Sequence, residues 1–140
     1  MKHKSRYAVL IAFFGLLLVA LPALAHHSVQ AEFYQDHEWT QTGVLTRVDW
    51  INPHSQTWIT VKNSKSGKEA LVACQGHPPN AFSRAGLKKK DWAIGEVVTI
   101  TCLASKDNAR NAIGTPSWGF IKMIKFEKTG RLIVIRDNGV

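Results

Sequence analysis

The chain has 140 residues, 45% of them hydrophobic and 20% charged, with 18 Lys and Arg against 10 Asp and Glu. That length accommodates one small domain and excludes two. Two cysteines with no CxxC pair exclude the common zinc patterns.

The first 25 residues have the order of a secretory leader. Lys2, Lys4 and Arg6 precede the apolar run YAVLIAFFGLLLVAL, Pro22 breaks it, and Ala23-Leu24-Ala25 is a small-x-small cleavage site. A retained anchor is the competing reading, but the run falls short of the roughly 20 residues that span a bilayer. Cleavage after Ala25 leaves a chain of 115 residues that starts at His26 and is exported, on this reading, to the periplasm or beyond. The leader takes three of the 18 basic residues and no acidic one, so the mature net charge is +5. An exported protein rarely meets nucleic acid, which removes the usual partner of a basic chain. The triplet Lys88-Lys89-Lys90 is read as a solvated loop, with weak attraction to anionic lipid as the sharper alternative.

Residues 26–41 are polar with scattered aromatics and no period, and are read as an N-terminal arm. From Val44 the texture alternates: Val44, Val48 and Trp50 are placed on one face of a first strand, with Leu45, Arg47 and Asp49 on the other. Asn52-Pro53 ends it, because proline cannot donate to a central ladder. QTWITVKN is a second strand with Ile59 and Val61 on one face, residues 63–68 are a turn, and EALVACQ is a third strand. Asn80 is the expected cap of a short helix running to Arg84, with Gly86 as its stop. EVVTITCLAS is a fourth strand presenting Val98, Ile100 and Cys102 together. A polar loop over 106–119 leads to FIKMIKFE, then a KTGR turn and the closing strand LIVI.

Three strands, a short helix and two or three more strands is the order of an all-β protein. The predicted fold is a small OB-like Greek-key β-barrel of five to six strands over residues 42–140, with one short helix after the third strand. A small open β-sandwich is the runner-up. An even cysteine count in an exported chain suggests one disulfide between Cys74 and Cys102, and two inert buried thiols are the alternative.

AHHS at the processing site, GVLTRVDWINPH in the first strand and GHPPNAFSRAG after the third form a combination of marks. With them the chain resembles the small exported bacterial proteins of domain-of-unknown-function family 6152. His26, His27 and Ser28 carry the first mark. Gly43, Val48, Trp50, Asn52, Pro53 and His54 carry the second, and Pro79, Asn80, Ala81, Arg84 and Gly86 the third. The chain departs from the family pattern in placing Trp58 four residues after His54, where an aromatic usually follows within two or three, and in its two cysteines. The resemblance brings no activity with it, so the chemistry is read from the residues.

Five histidines outlast cleavage, and His26 differs from the rest because its α-amine is freed. The amine and Nδ1 of one histidine chelate in a single stiff bite, and another imidazole completes a three-nitrogen set suited to Cu(II). His54, beside Pro53 at a strand end, is the preferred third nitrogen and His27 the alternative. Ser28 and Asp36 are candidate supporting partners. Cleavage after Ala23 would instead expose Leu24-Ala25-His26, whose third-position histidine also chelates Cu(II). His37 and His77 are read as ordinary solvated or hydrogen-bonded rings. Trp50 and Trp58 are read as core or barrel-rim aromatics, with ligand stacking as the alternative.

Ser28, Ser55, Ser83 and Ser117 lack a nucleophile elbow, and there is no phosphate-binding glycine loop and no CxxCH. The expectation is therefore a non-enzymatic exported barrel that carries or buffers copper. The competing readings are an interaction module of the cell envelope, meeting another envelope protein or a membrane surface, and a copper-dependent redox enzyme.

Overall fold

The computed structural model describes residues 28–63, 66–107 and 118–135. After a helical turn at Val29–Glu32 come β1 (Phe33–Asp49), β2 (Gln56–Lys62), β3 (Glu69–Gln75), a short helix (Pro79–Arg84), a 3-10 turn (Lys89–Asp91), β4 (Val97–Ser105), β5 (Trp118–Phe126) and β6 (Arg131–Val134). The sheet order is β3-β2-β1-β4-β5-β6, and β3 also pairs with β5. That extra pairing is parallel, joining Ala73 to Trp118, Cys74 to Gly119 and Gln75 to Phe120, while the other ladders are antiparallel. The ring therefore closes as β1-β2-β3-β5-β4, an all-β, OB-like order, with β6 as a hairpin extension of β5. Among the described residues no helix is long and apolar enough to cross a membrane.

β1 departs from its prediction in two ways. It begins at Phe33, so residues 33–41, read from sequence as an arm, are its first half; Glu38 to Gln41 pair with Leu103 to Ile100 of β4. Its inward phase also differs. Leu45 is fully buried, whereas Val44 is 41% exposed. The register shifts between Leu45 and Arg47 against β2, and this bulge carries the inward phase from Trp39 and Leu45 to Val48 and Trp50, which pack partly buried against the core. Alternation read across the bulge puts Leu45 on the wrong face.

The remaining elements stand close to expectation. Val98, Ile100 and Cys102 of β4 are fully buried, as is Ile59 of β2, and Val61 packs against them partly buried. β5 starts two residues before its predicted Phe120, because Trp118 and Gly119 are held by β3. The short helix takes Pro78 rather than Asn80 as its cap, with no side-chain capping bond. Pro79 occupies the first helical position, where a missing N–H costs nothing, and this draws the start forward.

Cys74 and Cys102 are bonded to each other, 6.6 Å apart at Cα and both fully buried. β3 and β4 flank the first residues of β5, so the bridge passes over β5 at Gly119. A β-carbon at Gly119 would lie 2.8 Å from Cβ of Cys102, 2.8 Å from the Trp39 ring and 2.6 Å from the Leu103 carbonyl oxygen. Only glycine lets the bridge and Trp39 close over that strand.

Two outcomes follow from this packing. Leu45→Ala should cost about 2–5 kcal/mol in urea denaturation and Val44→Ala less than about 0.5 kcal/mol; equal losses would contradict the bulged register. Closing a loop of 28 residues, the disulfide should contribute about 3–4 kcal/mol. Its loss on Cys74→Ala/Cys102→Ala is readable in the same titration, and unreduced protein in denaturant should take up no maleimide.

Candidate functional site

The segment between β1 and β2 turns through a cis Asn52-Pro53 bond, and His54 follows half-buried before the first ladder residue of β2. Its Nδ1 lies 3.3 Å from the carbonyl oxygen of Gly76, just past the end of β3. A carbonyl only accepts, so this bond takes the Nδ1–H tautomer and leaves Nε2 with its lone pair.

The corner is built by backbone and by Ser55. The Ser55 hydroxyl donates to the His77 carbonyl at 2.7 Å, the Gly76 N–H donates to the Ser55 carbonyl at 2.7 Å, and the Ser55 N–H donates to the His77 carbonyl at 3.3 Å. These bonds continue the β2–β3 ladder past Gln56 and Gln75 and lock the two chain ends together. Gly76 has no room for a side chain: a β-carbon there would stand 2.7 Å from the Phe82 ring and 2.9 Å from the Ser55 hydroxyl.

His77, read from sequence as an ordinary ring, belongs to this corner. Its imidazole meets the Phe120 ring edge-on with centroids 4.8 Å apart, and Phe120 in turn contacts Phe33 at 5.5 Å. The structure thus brings His54 to Gly76, the residue that precedes His77. Nothing in the spacing of 54 and 77 signals this, because it depends on β2 and β3 pairing to their ends.

The other predicted site residues fall elsewhere. His26 and His27 lie outside the described residues. Ser28, a candidate supporting partner, caps the helical turn after it, its hydroxyl accepting the Ala31 N–H at 3.2 Å. Asp36, the second such candidate, is exposed and bonded to the neighbouring His37 ring at 2.9 Å, which holds its carboxyl below the usual aspartate range. Trp50 contacts Phe82 and Trp92 at the edge of the core, and Trp58 lies beneath the Arg47 guanidinium, 4.6 Å from it. Among the described residues no three His, Cys, Asp or Glu side chains converge as a metal-holding group.

A separate open groove of about 560 Å³ is lined by Ala93, Gly95, Glu96, Val97, Glu127 and Lys128. Its Glu127 is bonded by the Lys125 ammonium at 2.8 Å and the Thr99 hydroxyl at 2.6 Å, which hold its carboxyl below the usual glutamate range. A carboxylate paired in this way is ionised at neutral pH and is no proton donor.

A sequence profile for a family of unknown function, DUF6152, matches residues 14–115. No curated protein matches the chain.

The corner yields a direct check. Gly76→Ala must displace either the Phe82 ring or the Ser55 hydroxyl, so its melting temperature should fall and the His54 ring resonances should shift. Ser83→Ala, on the exposed side of the short helix, should change neither.

Proposed function

The chain belongs to DUF6152, a family of unknown function, and we propose that this member is an exported β-barrel holding Cu(II) through its processed N-terminus, as a carrier or buffer of the metal. The observation that carries the metal reading is the seat of His54, whose Nδ1 faces the Gly76 carbonyl while Nε2 is left as the donor. Metal-binding histidines are commonly oriented in this way, by a carbonyl on the other ring nitrogen.

A ring held before metal arrives loses less freedom on binding than a solvated one. His26 supplies the other two nitrogens, its α-amine and Nδ1, with His27 as the alternative ring. Three nitrogen donors in a tetragonal set favour Cu(II), the strongest competitor among the first-row divalent ions. Export is supported by the leader pattern of residues 1–25 and by the buried Cys74–Cys102 bridge, since disulfides persist in oxidising compartments.

Intact mass of the exported protein, taken with and without Cu(II), tests processing and loading together. The expected masses correspond to a chain starting at His26 and to that chain with one copper ion. His54→Ala should weaken Cu(II) at least about tenfold, since loss of even a supporting outer partner of a ligand commonly costs about 10–100-fold. An alanine inserted before His26 should weaken it equally, and His37→Ala should not. Affinity should fall as pH drops, because the amine and both rings bind only when deprotonated. An insertion variant with unchanged affinity and an unchanged copper EPR spectrum would end this reading.

A further inference from the structure

One mouth of the barrel is plugged by Trp50, Phe82, Leu87 and Trp92, with the Trp50–Phe82, Trp50–Trp92 and Phe82–Trp92 centroids 5.5, 6.1 and 5.9 Å apart. The exposed residues within two positions of these plug residues include Asn52, Asn80 and Ser83, and beside them four cations and two large aliphatics. Arg84, Lys88, Lys89 and Lys90 are exposed cations. Ile51 and Ile94 are aliphatic side chains with 53% and 60% of their surface in solvent.

The acid inside the lysine run offsets them only in part, through Lys90. Asp91 accepts the Lys88 N–H at 2.9 Å and meets the Arg131 guanidinium at 3.3 Å. The Lys88 N–H, and with it Arg131, holds the Asp91 carboxyl below the usual range, so it stays ionised and engaged with Arg131. Arg131 is fastened there by a second bond to the Gly86 carbonyl. Among the described residues no carboxylate pairs with Arg84, Lys88, Lys89 or Lys90.

We propose that this rim docks the barrel, plugged mouth down, on an anionic membrane surface. Cations held on the rigid short helix and 3-10 turn are attracted by acidic headgroups, and each adds to the attraction while within a Debye length of the surface. The two isoleucines favour a lipid surface over a soluble polyanion, because aliphatic side chains gain free energy only where an acyl layer receives them. This inference is independent of the copper reading, since it uses neither His26 nor His54.

Sedimentation of the full processed protein with phosphatidylcholine vesicles, with and without phosphatidylglycerol, tests it. Binding is expected only with the anionic lipid and should decline as salt is raised. Lys89→Glu/Lys90→Glu should lower the partition coefficient roughly tenfold or more, and Ile94→Ser severalfold. Lys62→Glu/Lys68→Glu makes the same charge change at the two ends of the β2–β3 turn and should have a much smaller effect. Equal losses from the two pairs would reduce the effect to net charge and overturn the assignment. An unaffected Ile94→Ser variant whose vesicle binding is competed away by polyphosphate would make the rim a polyanion site and the membrane assignment wrong.

Discussion

The three-residue parallel pairing of β3 with β5 is the constraint on which the rest of this structure depends. Without it the strands would form an open sheet with two free edges; with it five of them make a ring. Parallel pairing cannot be reached by a tight turn and needs a long crossover. The chain between β3 and β5 supplies that crossover, and the helix and β4 lie along it. The Cys74–Cys102 bridge ties the two strands that flank β5 at Gly119, so the covalent link and the parallel ladder constrain the same point.

The β2–β3 pairing explains where His54 sits. β2 and β3 stay paired to Gln56 and Gln75, and the chain ends beyond them remain joined through Ser55, Gly76 and His77. His54 is positioned by that continuation, not by any contact specific to imidazole apart from the Gly76 carbonyl. The absence of a side chain at Gly76 serves two neighbours at once: it admits the Phe82 ring from the core side and the Ser55 hydroxyl from the loop side. Core packing and ring orientation at the proposed metal ligand are therefore coupled through one residue.

The two proposals use different parts of the molecule. The metal reading concerns His54 and the processed N-terminus, and the membrane reading concerns cations and aliphatics around the plugged mouth. Both rest on side chains held by short, hydrogen-bonded segments outside the strands. In the membrane reading the cations are left available because Asp91 is engaged by the Lys88 N–H and Arg131, and in the metal reading the Gly76 carbonyl orients the His54 ring through Nδ1 and leaves Nε2.

The strands, their order, the helix after β3 and the apolar faces of β2 and β4 were legible in the sequence by itself, because alternation of polarity and turn residues are local signals. The cysteine pair was legible as a possibility, since an even count does not say whether two sulfurs meet. Tertiary structure decided the rest. Trp39 and Phe33 looked like scattered aromatics of an arm until pairing with β4 gave their strand a buried face. Leu45 and Val44 exchanged faces because a bulge is defined by the partner strand, which the one-strand pattern does not contain. The approach of His54 to Gly76 and of Ser55 to His77, and the engagement of Asp91 with Arg131, join residues more than 20 positions apart. Such contacts are set by strand pairing and barrel closure, and local residue patterns carry no record of them.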